Sequence, residues 1–571
     1  MYTDYLPASN FSPTLGNGHL RRLISASLLQ TMPASPRFQL GWWPAVVLPL
    51  VFFCVGLAVL PLPGLEEDEV LFAAPVFHLP AATVFGAQVF HKQLPLMLLT
   101  YLGALKSWLY FPIFKFLGPS YLTVRLPVLT IGSLTVWLFI WLLQRTSGRT
   151  AAWVGGVLLA TDTMFLFTTC FDWGPVALQH LLALAGLALV LKFASEARRW
   201  ALWLGFFCFG LALWDKALFL WLFSGLIVAT IAIFPREVWF RCSLRNVGVA
   251  AAGLCAGALP LLAYNATSNL ATFRSNSSFD LSQLPSRLHA LRITWDGQIL
   301  WGYMVHAPWS PGTPREAGSA LEQISSTVHS LGGFRYHNEL EPALWVVLAL
   351  VPLLWFTPAR KPLLFCLIAS AVAWIQMAIT KDAGLGAHHV VLLWPLPHWF
   401  IAVAFVEAAR WKLLEWRRAG ALVLAAAMIF LAGENLLLTN EYFYQLARYG
   451  SLGVWSDATY RLSSEVGTMP PAGHFVVDDW GIANSLEVLR GGAVSLVSTQ
   501  DWDRTRLADD VWIGHTPEFQ QRAGASQRVV QEARSSGFEK QMIKTVPDRN
   551  GHPVFEIFRF VRAAANATPS N

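Results

Sequence analysis

The stretch Trp42–Glu69, WWPAVVLPLVFFCVGLAVLPLPGLEEDE, joins a long apolar run directly to a run of consecutive acids. The apolar part, from about Trp42 to Leu62, has roughly the length that a helix needs to cross a bilayer. The acids, Glu66 to Glu69, repel one another and gain nothing from hydrophobic burial. The stretch therefore predicts a first membrane span that ends in a charged cluster suited to chemistry at the membrane surface.

The composition of the whole chain indicates a polytopic membrane protein. Of its 571 residues, 55% are hydrophobic and only 13% are charged, which is about half the charged fraction of a soluble chain. The net charge of +6 comes from basic residues scattered in short loops, and this pattern is not typical of a nucleic-acid-binding face. The 6 cysteines have no paired spacing, so they predict neither disulfides nor a zinc site.

About eleven apolar runs have the length of a membrane span, with ends uncertain by several residues. They lie near residues 42–62, 122–143, 151–170, 175–193, 201–214, 217–234, 246–264, 342–357, 363–380, 388–406 and 420–438. The predicted fold class is an α-helical polytopic membrane protein with a transmembrane domain over residues 41–439. Residues 1–40 are Ser/Pro-rich and are expected to form a flexible cytoplasmic tail.

Basic residues gather on one side of the membrane if these runs alternate in direction. Besides those of the N-terminal tail, they are Arg145, Arg149, Lys192, Arg198, Arg199, Arg236, Arg241, Arg245, Arg360, Lys361, Arg410, Lys412, Arg417 and Arg418. Positive residues in short loops face the cytoplasm. The expected topology therefore has the N-terminus in the cytoplasm and the C-terminal region outside it.

The remaining loops then lie on the extracytoplasmic face. They include a first external loop over 63–121 and a long loop over 265–341. Within the first loop, Gln93–Phe116 is apolar and aromatic but is interrupted by lysines and prolines, which favours interfacial helices whose Lys106 and Lys115 reach outward. An additional buried pair of spans is the alternative. Residues 440–571 alternate apolar runs with helical pattern and predict a small extracytoplasmic α/β domain with a partly parallel sheet.

Ionisable residues that are far apart in sequence share this outer face. If the spans alternate, the face receives Asp68, Asp172, Lys216, Lys381, His388 and His389. Their convergence predicts a site at the extracytoplasmic membrane surface.

Three stretches in the first half of the chain resemble motifs of the GT-C glycosyltransferases, and their order and sidedness agree. Asp68-Glu69-Val-Leu-Phe-Ala73 resembles the Asp-Glu-x-x-Tyr/Phe-Ala/Gly signature of that family's first external loop. His91-Lys92-Gln-Leu-Pro95-Leu96 is similar to its Lys-Pro-Pro-Leu element, although Gln93 and Leu94 precede a single proline here. Gly118–Leu129, which contains Arg125-Leu-Pro127, resembles its approach to the second span.

Two further stretches resemble the same family. Phe171-Asp172 resembles its second acidic position, and His388-His389 with the prolines that follow is similar to its Arg-Tyr/His-x-x-x-x-x-Pro segment. The nearest groups are the protein O-mannosyltransferases and the bacterial aminoarabinose transferases. The resemblance covers roughly residues 42–440 and implies the plasma or inner membrane of a bacterium.

The resemblance implies a membrane transferase that moves a sugar from a polyprenyl-phosphate donor to a hydroxyl on a protein, glycan or lipid acceptor. Asp68 is then the expected general base, with Glu69 orienting it or binding the sugar and Asp172 as a further acid of the site. One displacement by one base would invert the anomeric centre. The leaving phosphate gains charge and needs fixed cations, for which the candidates are Lys92, Arg125, Lys216, Lys381, His388 and His389.

Several of these residues also have ordinary structural interpretations. Asp172 suits the N-cap of a helix that begins near Pro175. Lys216 could pair with Asp215, and Arg125 could reach the lipid headgroups. Interfacial histidines are common, and adjacent helical residues such as His388 and His389 point about 100° apart. A divalent cation held by Asp68 and Asp172 stays open, because carboxylates and phosphate oxygens suit hard cations.

Two other functions compete with the transferase. A polytopic transporter or lipid flippase with an external accessory domain would line a pathway with intramembrane charges. The predicted span interiors, however, hold almost no ionisable residues, and no inverted repeat is evident. A non-catalytic envelope protein would use the helices only as an anchor, and eleven spans are far more than such an anchor requires.

Overall fold

The computed structural model describes residues 43–77, 83–89, 92–174, 176–276, 278–306, 313–410, 417–469, 474–477, 481–498, 506–507, 509–518 and 525–563. Its main body is a bundle of apolar helices, and a small α/β domain follows the last long helix. The predicted fold class, a helical membrane protein with a C-terminal α/β domain, is confirmed.

Each apolar run expected from the sequence corresponds to a single helix or to a bent pair of helices. Within the part of the chain that the structure describes, four helices are long and apolar enough to cross a membrane alone, and the count is up to 8 if each bent pair is one span. The single helices are Pro44–Val59, Tyr121–Thr146, Val176–Glu196, Arg199–Asp215, Leu340–Leu354, Arg360–Ile379 and Arg417–Tyr449. The bent pairs are Arg149–Thr161 with Thr163–Cys170, Phe219–Ile233 with Pro235–Arg241, Leu244–Gly257 with Leu259–Thr267, and Ala387–Leu393 with Leu396–Ala409.

Glycines allow two of these helices to touch along their backbones. On helix Arg199–Asp215, an added Cβ at Gly210 would lie 2.3 Å from the Leu254 carbonyl oxygen of helix Leu244–Gly257. In the opposite direction, an added Cβ at Gly257 would lie 2.3 Å from the Phe207 carbonyl oxygen. Lipid tails provide no hydrophobic drive between helices, so close backbone packing at small residues is how such bundles gain contact energy.

The bundle interior contains a buried Asp–His pair that the sequence analysis missed. Asp162 breaks the span at the 56° bend between Arg149–Thr161 and Thr163–Cys170, where its Oδ1 accepts from the Phe165 amide at 2.5 Å. The other oxygen lies 3.1 Å from Nε2 of His398, and both side chains are buried. The expectation of almost no ionisable groups inside the spans was therefore too simple. A helix break inside a membrane protein frees amides, and a buried carboxylate satisfies one here.

The first external loop combines a hairpin with a helix. Strands β1 (Phe85–Val89) and β2 (Lys92–Met97) pair antiparallel, and the helix Leu105–Leu117 follows. The prediction of helices over Gln93–Phe116 is right for the second half and wrong for the first. Pro95, which has no amide proton, sits in strand β2, where it opposes Gly86. The acids form a short helix, Glu67–Val70, followed by a 3₁₀ turn at Ala74–Phe77.

The long external loop adds three helices, at Ala271–Asn276, Leu284–Trp295 and Ala320–Gly332. The last long helix of the bundle continues past position 440 to Tyr449, and a 3₁₀ turn at Gly453–Trp455 then leads into the C-terminal domain.

The C-terminal domain is a five-stranded mixed sheet with three helices. Its strands are β3 (Phe475–Val477), β4 (Leu496–Ser498), β5 (Val511–His515), β6 (Phe538–Pro547) and β7 (Pro553–Arg562), in the spatial order β4-β3-β5-β7-β6. Strand β3 runs parallel to β4 and β5, whereas β7 is antiparallel to its neighbours, which confirms a partly parallel sheet. The helices are Ala458–Thr468, Ala483–Arg490 and Ala525–Ser535.

Candidate active site

The acidic run folds into a capped helical turn. Glu66 is its N-cap, and the Oε2 atom of Glu66 accepts from the Asp68 amide at 2.8 Å and from the Glu69 amide at 3.3 Å. Glu69 returns the contact by accepting from the Glu66 amide, which completes a capping box. Burial and then Asp68 raise the pKa of Glu66 well above its ordinary value, and the same two causes raise the pKa of Glu67 to about 7. In this turn Glu66 and Glu69 are buried, whereas Glu67 and Asp68 are partly exposed.

Glu69 and Arg125 form a buried bidentate pair. The Nε and Nη2 atoms of Arg125 lie 2.6 Å and 2.8 Å from the two Glu69 carboxylate oxygens, and the guanidinium is fully buried. Its remaining donors reach backbone carbonyl oxygens at Leu60, Pro63 and Gly64. The ring of Phe171 lies 4.7 Å below the guanidinium carbon. Arg125 therefore donates its hydrogen bonds to other atoms of the protein, and the Arg125–Glu69 pair holds the first external loop in place.

Asp172 pairs with a lysine that the sequence analysis assigned elsewhere. The Lys106 ammonium lies 2.8 Å from Oδ2 of Asp172, both side chains are 2% exposed, and Phe72 lies 4.1 Å from the ammonium. The expectation that Lys106 reaches outward to headgroups was wrong. Lys106 shares the buried face of its helix with Tyr110 and Phe114, so a spacing of four residues was the signal that could have revealed it.

The other oxygen of Asp172 caps a helix. Its Oδ1 accepts from the amides of Val176 and Ala177 at 2.9 Å and 3.2 Å, at the start of helix Val176–Glu196. The Asp172 side chain therefore both caps this helix and forms a buried ion pair with Lys106.

Lys216 lies at the centre of the cluster. It follows the last residue of helix Arg199–Asp215 and is 4% exposed. Burial lowers the pKa of Lys216 to about 8, whereas Asp68, Asp172 and Asp215 oppose that shift. Among the described residues no hydrogen bond reaches its ammonium, which leaves a buried cation beside Asp68.

Asp215 also lies inside this charged group. Its side chain is fully buried, and neither carboxylate oxygen has a hydrogen-bond partner among the described residues. It lies close enough to Lys106 and Lys216 to act on both electrostatically. Lys216 and Asp215 therefore belong to a wider electrostatic network, whose cations are Lys106 and Lys216 and whose carboxylates are Asp68, Asp172 and Asp215.

The two histidines border the same network. Nδ1 of His388 accepts from the Trp173 indole nitrogen at 2.8 Å, and the rings of His388 and His389 lie 4.2 Å apart. Nδ1 of His389 accepts from the Gly384 amide at 3.3 Å. Lys216 acts electrostatically on both rings.

The turn Phe171–Gly174 holds these parts together. The ring of Phe171 packs against the Arg125 guanidinium, Asp172 forms an ion pair with Lys106, and the Trp173 indole donates a hydrogen bond to His388. At Gly174, an added Cβ would lie 3.0 Å from the Lys216 ammonium and 3.2 Å from a ring carbon of His388. Each residue of this turn therefore contacts one charged or polar member of the cluster, and Gly174 leaves room for the ammonium.

Two predicted residues are not described as members of the cluster, for different reasons. The backbone of Lys92 pairs with Val89 in the hairpin, but its side chain lies outside the described residues, as does His91. Lys381 is exposed in the turn after helix Arg360–Ile379, where its amide donates to the Ser278 carbonyl and its charge acts on Asp280. The structure thus brings together Asp68, Glu69, Arg125, Asp172, Lys216, His388 and His389, and it adds Lys106 and Asp215.

The donor set at Asp172 does not fit a divalent cation. One oxygen binds the Lys106 ammonium, and the other accepts from two amides, so a metal would have to displace both. Within the described ranges no group of three His, Cys, Asp or Glu side chains has the geometry of a metal site.

An apolar cavity of about 530 Å³ adjoins the cluster. Its wall includes Ala217, next to Lys216, and Trp221, whose ring lies 6.5 Å from that of His389. Tyr101 lines the cavity. Burial and then the charge of Asp68 raise the pKa of its phenol, so Tyr101 also lies within electrostatic reach of Asp68. Leu213, Leu254, Leu261, Leu262 and Phe273 supply much of the apolar lining. The arrangement places a buried cation and a carboxylate beside a long apolar space.

Comparison with solved structures identifies the architecture. The aminoarabinose transferase ArnT from Cupriavidus metallidurans, bound to undecaprenyl phosphate, superposes with a TM-score of 0.51 at 12% identity, covering 90% of this chain and 98% of that one. Its apo form gives 0.51 at 14% identity, with 90% and 97% covered. The chain has the GT-C fold. An oligosaccharyltransferase from Archaeoglobus fulgidus scores 0.43 at 10% identity over 81% of this chain and 64% of that one.

Sequence comparison adds nothing to this. No family model matches the chain, and no curated protein matches it either. At 12% to 14% identity the likeness establishes the fold alone, and the long apolar helices of the chain indicate an integral membrane protein.

Proposed function

We propose that this protein is a membrane glycosyltransferase that moves a sugar from a polyprenyl-phosphate donor to a hydroxyl acceptor on the extracytoplasmic face. The observation that carries the proposal is the buried Lys216 ammonium, which lies within electrostatic reach of Asp68 and directly precedes Ala217 in the wall of the apolar cavity. A lipid-linked phosphate requires those three elements together: an apolar space for the chain, a cation for the phosphate and a base for the acceptor. The ArnT structure with undecaprenyl phosphate supports the donor class by likeness of fold.

The reaction follows from the charges of the cluster. The acceptor oxygen attacks the anomeric carbon, and the bond between that carbon and the phosphate oxygen breaks. Asp68 accepts the hydroxyl proton, and the bonding electrons leave with the lipid phosphate, which gains negative charge. Lys216 stabilises that developing charge, and burial makes its ammonium more effective than an exposed one. A single displacement of this kind inverts the anomeric centre.

The other residues have supporting roles in this proposal. Glu69 and Arg125 form a buried ion pair with each other, and this pair holds the acidic turn in place. Asp172 holds Lys106 beside the cluster and caps helix Val176–Glu196. His388 and His389 supply polar ring edges next to Lys216, where the donor phosphate would lie.

The decisive experiment uses the Asp68→Asn variant, which keeps the shape of the side chain and removes the base. Membranes that contain the full chain are supplied with radiolabelled undecaprenyl-phosphate sugars, and transfer of label to a delipidated product is measured. Loss of a general base lowers such a rate by about 10²- to 10⁴-fold. Binding of undecaprenyl phosphate should persist, because Lys216 and the cavity are unchanged.

The matched control is Asp280→Asn. Asp280 is a carboxylate of the long external loop, and it pairs with Arg287 away from the cluster. Its loss should leave the transfer rate within about twofold, as is usual for substitutions away from a site. Equal transfer by the Asp68→Asn variant and the wild-type chain would refute the assignment of the base. Absence of transfer by the wild-type chain with every donor would refute the proposed function.

A further inference from the structure

The segment between the first span and the acidic turn is hydrogen-bonded, almost residue by residue, to the C-terminal part of the chain. Nη2 of Arg549 donates to the Pro61 and Leu62 carbonyl oxygens at 2.9 Å and 2.7 Å. The Tyr460 hydroxyl donates to the Pro63 carbonyl at 2.9 Å, and the Gly64 amide donates to the Trp455 carbonyl at 2.6 Å. This contact is continuous and not a loose approach of two surfaces.

The contact reaches the acids themselves. The Ser485 hydroxyl donates to the Leu65 carbonyl oxygen at 2.9 Å, and the Asn484 amide donates to Oε1 of Glu67. Both residues belong to helix Ala483–Arg490 of the C-terminal domain. Glu67 is immediately followed by Asp68, so Asn484 is one residue removed from the proposed base.

Packing reinforces these hydrogen bonds. Val488, on the same helix, is fully buried in an apolar cluster with Leu65, Val70 and Phe72 of the acidic segment. At Gly64, an added Cβ would lie 2.0 Å from the Ser456 carbonyl oxygen, so only glycine allows the two backbones to meet there. The acidic segment is therefore enclosed by the C-terminal domain on one side.

The acidic turn needs such external partners. A helix of four residues is unstable by itself, because nucleation is unfavourable and few of its bonds are made. Its like charges add repulsion, and Oε1 of Glu66 and Oε2 of Glu67 are buried without a hydrogen-bond partner among the described residues. Contacts from outside the turn must therefore stabilise its conformation and, with it, the position of Asp68.

We propose that the C-terminal domain is part of the catalytic centre, in which it clamps the segment 61–67, and that Asn484 is a positioning residue for Asp68. The inference rests on the proposed glycosyl transfer. It gives the domain a function in the chemical step that is separate from any choice of acceptor. Asn484 acts through Glu67 and does not touch the reacting atoms.

The test exchanges the two partners of the Asn484–Glu67 hydrogen bond in the full-length chain. The Glu67→Gln variant keeps an acceptor oxygen for Asn484, so transfer should stay within about threefold of wild type. The Asn484→Asp variant places two carboxyls together. They share a proton at pH 6 and repel each other at pH 8, as paired carboxyls do. Its transfer rate should fall by about tenfold to a hundredfold between these pH values, the usual effect of a small misplacement.

The double variant Glu67→Gln/Asn484→Asp restores a hydrogen bond with donor and acceptor reversed. Its transfer at pH 8 should recover to within about threefold of wild type. The fall in the single variant should lie in kcat, while the KM for the undecaprenyl-phosphate sugar stays within about threefold, because the clamp does not touch the lipid cavity. Transfer at pH 6 shows that the single variant is folded.

Arg461→Gln is the matched control within the domain. Arg461 donates to the carbonyl oxygens of Pro547 and Asp548, which belong to the same domain, and no hydrogen bond among the described residues joins its side chain to segment 61–67. Normal transfer by Asn484→Asp at pH 8, or no recovery in the double variant, would overturn the clamp. Loss of transfer in Glu67→Gln at both pH values would also overturn it, because Glu67 would then be needed as an acid. Wild-type inactivity would instead refute the proposed function, so the two failures are distinguishable.

Discussion

At the scale of single residues, the site depends on which cations are already paired. Arg125 and Lys106 each have a carboxylate partner within 2.8 Å, whereas the ammonium of the buried Lys216 has no hydrogen bond to the described residues. A paired cation has most of its field compensated, so a phosphate gains less from it. Lys216 is therefore the cation of this cluster to which we assign the lipid phosphate.

Replacing Lys216 by Gln should weaken binding of undecaprenyl phosphate by roughly tenfold to a hundredfold, the usual value of a hydrogen bond to a charged group. The dissociation constant can be measured on the purified chain, with undecaprenol as the uncharged comparison. Undecaprenol should bind both proteins alike. Lys381→Gln, at an exposed lysine outside the cluster, is the control and should change affinity less than about twofold. Equal weakening by both variants would argue for a diffuse surface effect.

The same residue predicts a pH dependence. Burial lowers the pKa of Lys216 to about 8, so the ammonium loses its proton as the pH rises through that value. Undecaprenyl phosphate should therefore bind well below pH 8 and progressively less above it, although a bound phosphate itself favours the charged form. Lys216→Arg keeps its charge over this range and should remove the alkaline decline. An identical decline in the Arg variant would assign it to another group.

At the scale of elements, buried ion pairs join the acidic turn to the start of the second span. The Arg125 guanidinium connects Glu69 to the carbonyl oxygens at the end of the first span, so one side chain ties three segments together. Removing one partner of such a pair leaves an uncompensated buried charge, whereas replacing both with apolar groups is often tolerated.

Arg125→Met should accordingly destabilise the fold by about 3–5 kcal/mol. The double variant Arg125→Met/Glu69→Leu should be markedly less destabilised. Thermal unfolding of the two variants in detergent tests the comparison, with Arg145→Met, on the last turn of the same helix, as the control. If Arg125→Met unfolds like wild type and loses only its affinity for undecaprenyl phosphate, Arg125 belongs to the phosphate site that the sequence resemblance suggests.

At the scale of the whole molecule, the cavity and the cluster arise from different parts of the chain. The cavity lies among helices Phe219–Ile233, Leu259–Thr267 and Arg360–Ile379, whereas the acids come from the first external loop. Lys216 and Ala217 lie where the two meet. A long apolar ligand with an anionic end would therefore contact both the helices around the cavity and the first external loop.

Filling the cavity should separate chain recognition from phosphate recognition. Ala266 lines the cavity and is exposed, so Ala266→Trp should be tolerated while it occupies that space. We expect the affinity for undecaprenyl phosphate to fall by about tenfold, which corresponds to the loss of a few buried methylene contacts. Binding of a short-chain phosphate such as geranyl phosphate should change little. Ala256→Trp, an exposed position that does not line the cavity, is the control.

Sequence alone predicted the class of fold where local rules apply. Membrane-spanning helices can be recognised in a sequence because about twenty consecutive apolar residues have the length needed to cross a bilayer. The outer-face placement of Asp68, Asp172, Lys216 and the histidines stays a prediction from simple alternation of those spans. The β-strands of the C-terminal domain were visible for the same local reason, although β6 and the helix Ala525–Ser535 were not foreseen.

What the sequence by itself determined is thus a helical membrane protein with ionisable residues gathered at one face. Only the tertiary structure decided which residues interact. Lys106 turns inward and pairs with Asp172, Arg125 pairs with Glu69, and Lys216 lies within electrostatic reach of Asp68. The physical reason is that burial and charge pairing depend on distances between residues that are far apart in the chain. Hydropathy and spacing report only what one segment prefers, whereas an ion pair depends on where two segments meet.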